Sequence, residues 1–584
     1  MDLKEVPDMS NASTKTMQPF GEGFIEAFAP EMTIFIGLLV LIIVPNLGDG
    51  KFRLPLTNIR LPWFFGGNRS KLEQNPHLPG LLASVFASIA FILTLLSFVG
   101  GMHSVEVTSA SGHHLLTINE FSRLFELIFF GAIALACIAS MNRLAPYPSD
   151  DRTAQALYNN RRQADFYILL MTTAIGMSIV ALSQDLFFLF IGLELASFST
   201  YILVSFLKES KEGTEAGMKY FIVGSVASGV GLYGLSLLYL WSGSLQFDVL
   251  SDKFAADGLD ALPLIALGFI LVGFGFKVSA APFHFAAPDA YAGSMSPIAG
   301  VLATASKAMG MVGLIRILLV LASPDMSDDG TAWLVALGVF SVVTMTWGNL
   351  AALGSTNPKR MLAYSSVAHA GYMLAALTAV GAWNWSESLS GDAAEAATMV
   401  LTALMFHMVV LVCFKLGAFL VISILEQEGG GHTLESLGGL AKREPFLAVT
   451  MFIFMLSLAG VPPLAGFMSK LLVIMGIVKV AAGDIGAALA NGESISFSDI
   501  HWVWYLALIM VINSAISVYY YLRVGIVMFF HDAPEGKTLL PQGNSVRLAI
   551  IACLTLTLYF GISSDGLIEV CQSAADALQA SWQN

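Results

Sequence analysis

Charge is what this sequence has least of. Asp, Glu, Lys and Arg make up 12% of its 584 residues, where a soluble domain carries about 25%. With 56% hydrophobic residues and a mean hydropathy of +0.73, that excludes a soluble enzyme and predicts an all-α polytopic membrane protein. Cysteine is scarce as well. Cys137, Cys413, Cys553 and Cys571 show no CxxC or CxxH spacing, which excludes an Fe–S, zinc or haem attachment site and a disulfide framework. No metal-ligating or cofactor-binding residue is therefore expected in this chain, and any redox cofactors belong on other subunits. The net charge of −13 argues against nucleic acid as a partner. Residues 1–24 lack the basic start and short apolar core of a signal peptide and read as a mobile polar extension.

What is present is a series of apolar segments, about fourteen, each near the ~20 residues needed to cross a bilayer. Their centres fall near Ile36, Ile89, Gly131, Thr173, Glu194, Ala227, Phe269, Gly310, Phe340, Leu374, Leu411, Met468, Met510 and Leu554. Lys and Arg cluster in the loops after odd-numbered segments, among them Arg53, Arg152, Arg161, Arg162, Lys359, Arg360, Lys442 and Arg443. Loops after even-numbered segments hold Arg123 and Lys253. Positive loops stay in the cytoplasm, so both termini are expected on the outer side of the membrane. Loops 47–77 and 143–163 mix charge with Pro, Gly and aromatic residues, and are either docking surfaces or simply solvated.

A few charges fall inside these segments. Lys219, Lys277, Lys307, Arg316, Lys415, Lys470 and Glu194 all lie within expected spans. A lysine at membrane depth costs roughly 2.5–3.5 kcal/mol on insertion scales, so such residues face the bundle interior, pair, or touch water. Pairing and burial act oppositely on the charge of a carboxyl or an amine, so a Glu–Lys pair followed by more lysines has the make-up of a proton relay. Glu194 with Lys219 also reads as a structural ion pair between neighbouring helices. Lys277 and Lys307 have no evident carboxylate partner, which favours function. For Lys415 the two readings stand level. Arg316 cannot deprotonate and reads as a lipid-facing or salt-bridged side chain. His284, His369 and His407 could relay protons or serve as hydrogen-bonding packing residues.

Proline marks two breaks. Pro282 follows Lys277 in LVGFGFKVSAAPFHFAAPDAYAG, and Pro462 and Pro463 precede Lys470 in GVPPLAGFMSK. Proline lacks an amide hydrogen and clashes with the preceding turn, so helices 7 and 12 are expected to be broken. They lie five helices apart and so cross in opposite directions. Helices 4–8 (residues 164–322) and 9–13 (331–530) then form two inverted five-helix repeats, each with a broken fourth helix. Helices 1–3 occupy 25–142, and helix 14 occupies 546–565.

Six stretches in order resemble a known family: IGLELASFSTYIL (191–203), TEAGMKYFIVGSVASGVGLYG (214–234), FGFKVSAAPFHFAAPDAYAG (274–293), ATASKAMG (303–310), NPKRMLAYSSVAHAGYML (357–374) and LSLAGVPPLAGFMSKL (456–471). They look like the antiporter-like membrane subunits of respiratory complex I, nearest to the N (subunit 2) type of NADH:quinone oxidoreductase. The resemblance covers helices 4–12. It implies a fourteen-helix fold, with Glu194, Lys219, Lys277, Lys307 and Lys470 as the central proton channel. It further implies Fe–S clusters, flavin and quinone in partner subunits, membrane lipids around the chain, and residence in a bacterial inner membrane. Ala286 stands where the family usually has Trp, Ala292 where a charged or amide residue is common, and Lys415 where Asn is frequent. The electron donor could be NADH, ferredoxin or a deazaflavin. The alternatives are a subunit of a multi-subunit Na+/H+ antiporter or membrane-bound hydrogenase, and a scaffold whose charges are internal ion pairs.

Overall fold

The structure, a computed structural model, describes residues 15–19, 23–43, 51–53, 60–62, 78–99, 104–109, 112–141, 154–321, 330–382, 392–427, 430–482, 501–533 and 543–583. The helices in chain order are α1 Phe24–Ala27, α2 Ala29–Ile43, α3 Leu78–Val99, α4 Glu120–Ser140, α5 Ala154–Leu182, α6 Leu186–Val204, α7 Lys211–Ser242, α8 Phe247–Asp257, α9 Ala261–Val278, α10 Ala287–Gly293, α11 Ser296–Ala303 and α12 Ala305–Leu321. The second half holds α13 Gly330–Gly354, α14 Pro358–Gly381, α15 Asp392–Leu411, α16 Gly417–Gln427, α17 Leu440–Arg443, α18 Pro445–Ala459, α19 Ala465–Ala481, α20 Trp504–Phe530, α21 Asn544–Ile562 and α22 Asp565–Gln583. A single π turn, Val412–Leu416, joins α15 to α16.

The protein is a multi-pass helical membrane protein. Eleven described helices are long and apolar enough to cross a membrane. The other three segments of the expected fourteen fall on the 15-residue α2, on α14, and on the broken pair α18 and α19. The centre of the bundle is α11–α12 with α15–α16, which are buried along their length. Outer helices such as α3, α7 and α20 turn Leu96, Val226, Leu240 and Tyr519 outward, as surfaces in lipid do.

Two features depart from the expectation. The polar extension is not wholly mobile: Lys15–Met17 (β1) pairs in parallel with Val105–Val107 of β4 (Val105–Thr108), which pairs antiparallel with β5 (His114–Ile118). Met17, Val105, Val107 and Ile118 form a small core with Phe28 and Leu182. Loop 47–77 contributes a short hairpin of Lys51–Arg53 and Arg60–Pro62; the rest of it, residues 142–153 and the outer loop 483–500 lie outside the described residues.

The second departure is α22, which lies beyond the last expected span. Leu567, Cys571, Ala574, Ala575 and Leu578 are buried on one face at helical spacing. That face packs on α4 and α15, and Thr398 donates to Gln579 Oε1 (3.0 Å). Ala575→Asp places a carboxylate in this seam, where an unpaired charge is costly. Hydrogen exchange across 565–583 is expected to speed up at least about tenfold, with α4 and α15 otherwise protected; unchanged protection would show that α22 does not depend on the seam.

Candidate functional site

The first break begins one residue after Lys277. Ser279 adopts a left-handed conformation (φ 60°), which ends α9 at Val278, about a turn before Pro282. The chain resumes as a helix only at Ala287. Lys277 is buried, and its ammonium donates to Ser197 Oγ (2.8 Å) on α6. The Ser197 hydroxyl in turn donates a hydrogen bond to Leu193 O (2.5 Å). Glu194 sits one turn from Ser197, half-buried, and accepts from Ser228 Oγ (2.5 Å). Lys307, on α12, is wholly buried and donates to Val278 O (2.8 Å), a carbonyl at the end of the broken helix.

The second break repeats the arrangement. Gly460 (φ 85°) ends α18, Pro462 and Pro463 follow, and α19 starts at Ala465. Lys470 of α19 reaches back to Leu458 O (2.8 Å) and Ala459 O (3.2 Å), and to Ser514 Oγ (3.0 Å). The backbone angle of Gly460 favours glycine, and a Cβ there would press on the Lys470 stem at 3.2 Å from Cδ. A helix C-terminus leaves carbonyls without intrahelical donors and carries partial negative charge. Each break thus offers an ammonium acceptors that an intact helix could not supply.

A hydrogen-bonded series leads from the π turn to the second break. In the π turn, Lys415 is fully buried and donates to Ser365 Oγ (3.0 Å). Ser365 meets Tyr521 OH (2.5 Å), and Tyr521 OH lies 3.5 Å from His369 Nε2. His369 Nδ1 meets His407 Nε2 (3.1 Å), the rings stacked with centroids 5.2 Å apart. His407 Nδ1 reaches Ser469 Oγ (3.0 Å), the residue before Lys470. Behind Lys470, Tyr372, Asn349, Asn513 and Tyr520 form a buried amide–phenol cluster through Asn349 Nδ2 to Tyr372 OH (3.0 Å), Asn349 Nδ2 to Asn513 Oδ1 (3.1 Å) and Tyr520 OH to Asn349 Oδ1 (2.9 Å).

Two sequence expectations need correction. Lys219 does not meet Glu194. It pairs with Glu215 (2.8 Å) and Asp289 (2.9 Å), because Lys219 lies near the start of α7, where the short α10 brings Asp289 alongside. Asp289 also takes Arg360, and these groups line a polar cavity of about 670 Å³ together with Glu212 and Tyr364. Arg316 is not lipid-facing, and it forms no salt bridge among the described residues. It is buried, donates to Ala181 O (2.8 Å) and Gln184 Oε1 (3.5 Å) and lies over Phe121 and Phe247, so neutral oxygens and ring faces receive the cation in place of a carboxylate. His284, for which relay and packing both stood open, is buried within the break beside Trp347, with Nδ1 unbonded among the described residues. Sequence reasoning missed Ser365, Tyr521, Ser469 and Asp289. The Asp in AAPDAYAG, an acid in an apolar stretch, and the Ser four residues before His369 were the available signals.

A helical membrane bundle with two broken helices and a buried row of lysines between them defines an antiporter-like membrane subunit. Residues 183–492 match the profile of the family described as NADH:quinone oxidoreductase/Mrp antiporter, transmembrane. NADH-quinone oxidoreductase subunit N of Heliobacterium modesticaldum is 34% identical over 506 residues, covering 87% of this chain and 94% of its own. A chain of respiratory complex I from Thermus thermophilus superposes with a TM-score of 0.65 at 26% identity, over 92% of this chain and 98% of that one. A chain of the Mrp complex from Dietzia sp. DQ12-45-1b shares the fold, with a TM-score of 0.70 at 19% identity over 96% and 98%. The chain belongs to this family, and within it to the subunit N group of NADH-quinone oxidoreductase.

Proposed function

We propose that this chain is the proton-translocating N-type membrane subunit of a complex I-like oxidoreductase, moving protons along Glu194, Lys277, Lys307, Lys415, His369, His407 and Lys470. The observation that carries the reading is the partner chemistry of the four buried lysines. Each ammonium is held by hydroxyl or carbonyl oxygens, and none of the four forms a salt bridge among the described residues. A neutral acceptor lets an amine lose its proton without stranding a buried carboxylate, whereas a salt bridge would fix the charge. The hydroxyls and imidazoles between them can each accept a proton on one side and donate on the other.

The cavity around Lys219, Asp289 and Arg360 lies on the side assigned to the cytoplasm by loop charge, and serves as the entry vestibule. The two breaks belong to inverted repeats spanning 164–322 and 331–530, and the chain resides in a bacterial inner membrane with both termini outside. Electron transfer from NADH or another donor to quinone, with its Fe–S clusters and flavin, is the work of partner subunits.

Lys277→Ala in the complete assembly is expected to lower proton translocation per electron at least about tenfold, with the redox subunits still co-purifying. It is measured by dye-monitored acidification of proteoliposomes driven by the electron donor. Normal translocation per assembled complex, with assembly lost, would leave the lysine row a scaffold. Co-purification with small membrane proteins alone, and no flavin or Fe–S absorbance, would favour an Na+/H+ antiporter.

A further inference from the structure

Outside both repeats, α2 and α4 bring two acids onto one arginine. Arg123 Nη1 donates to Glu31 Oε1 (2.8 Å) and also to Glu126 Oε2, so two carboxylate oxygens meet at a single nitrogen. Arg123 Nη2 is taken by Ala27 O (2.5 Å), and Glu126 Oε1 by Ser178 Oγ (2.5 Å). Glu31 Oε2 is buried with no hydrogen-bond partner. The side chains of Arg123, Glu126 and Glu31 are 3%, 0% and 15% exposed.

The charges do not balance. A guanidinium stays charged and neutralises one carboxylate, leaving a second anion in the interior, facing the first across Nη1. The cations on the other elements packed against α4 are held elsewhere. Among the described residues Arg316 of α12 lies over Phe121 and donates to Ala181 O, Lys307 of α12 donates to Val278 O, Lys415 of the π turn to Ser365 and Arg547 of α21 to Glu444, and none of them forms an ion pair with Glu31 or Glu126. Helix α3 (Leu78–Val99) carries no ionisable side chain. On α5, Tyr167 is the last ionisable residue before Ser178, and their separation of eleven positions spans about 16 Å. Further along α4 and on α22, Glu120 and Asp576 are acids. Two like charges sharing such a site do not both persist; one carboxyl takes up a proton, which then bridges to a neighbouring oxygen. Glu31 Oε2, the oxygen left without a donor, is the atom that needs it.

We propose that Glu31 and Glu126 hold one proton between them on Arg123, a proton-binding site in the three N-terminal helices that is independent of the lysine row.

The test is infrared spectroscopy of the full chain in its assembly, comparing wild type with E31Q and E126Q in the carbonyl-stretch region of a neutral carboxyl, in light and heavy water. The expected result is loss of the same deuterium-sensitive band in both variants, its retention in E31D with a shifted position, and no change in the surface control E209Q. If E126Q fails to assemble, E31Q at the more exposed end reads the same band. A carboxyl spectrum unchanged in E31Q would overturn the proposal. So would a band that is absent from wild type, with thermal stability that instead rises on adding sodium, since a bound cation would then supply the missing charge.

Discussion

Replacing His407 by leucine is expected to cut proton translocation by the assembled complex at least about tenfold while the bundle stays folded. His407 is buried against His369, and among the described residues it carries the hydrogen-bonded connection from Lys415 to Ser469. The contact between His369 Nδ1 and His407 Nε2 requires one ring to present N–H and the other a lone pair. A proton arriving at one end is therefore matched by release at the other, with the tautomers exchanged. Leucine fills a similar volume and loses only the hydrogen bonds to His369 and Ser469, so the cost to stability is of the order of one to three kcal/mol. His407→Gln keeps a donor and an acceptor but cannot carry the charge, so it should restore packing and not translocation. Equal translocation in wild type and His407→Leu would remove the imidazoles from the path.

Lys359→Met is expected to act on assembly instead. Lys359 donates to Glu426 Oε1 (2.7 Å) and to Ser294 O (2.5 Å), and Glu426 Oε2 accepts the Ser296 amide (3.3 Å). The pair is 3% and 11% exposed and ties the start of α14 and the end of α16 to the link between α10 and α11. Removing the cation takes the Lys359 ion pair away from a largely buried carboxylate, a loss of up to about 3–5 kcal/mol. Adding Glu426→Gln removes that buried charge as well and should recover most of the loss, because a pair replaced as a whole is cheap where half a pair is not. A thermal-unfolding double-mutant cycle reads the difference. Additive single effects would mean that the pair is not coupled.

The breaks were legible because proline and glycine act locally: Pro282 stands five residues after Lys277, and GVPP ends seven residues before Lys470. The buried row was legible for a similar reason, since a lysine in an apolar run has few places to go. The links were not. Ser365 and Tyr521 lie far apart in the chain and meet only when α14 packs on α20, and a serine or tyrosine in a membrane helix is too common to signal its partner. Lys219 was misassigned because spacing alone put Glu194 one helix away, whereas Asp289 is delivered by a seven-residue helix that exists only after the break. Helix α22 escaped notice because only one of its faces is apolar, so it falls below any average taken along the chain.

The π turn at Val412–Leu416 sets the direction in which Lys415 points. A π turn is what an α-helix becomes when one residue is added and neither end is allowed to rotate. Deleting Val412 would restore regular α-helical winding, keep the outward faces of α15 and α16 in place, and swing Lys415 away from Ser365. A single-codon insertion or deletion at this point is therefore enough to add or remove an interior amine while sparing every neighbouring helix contact. Among descendants of a common ancestor, this position should vary by length and by identity together.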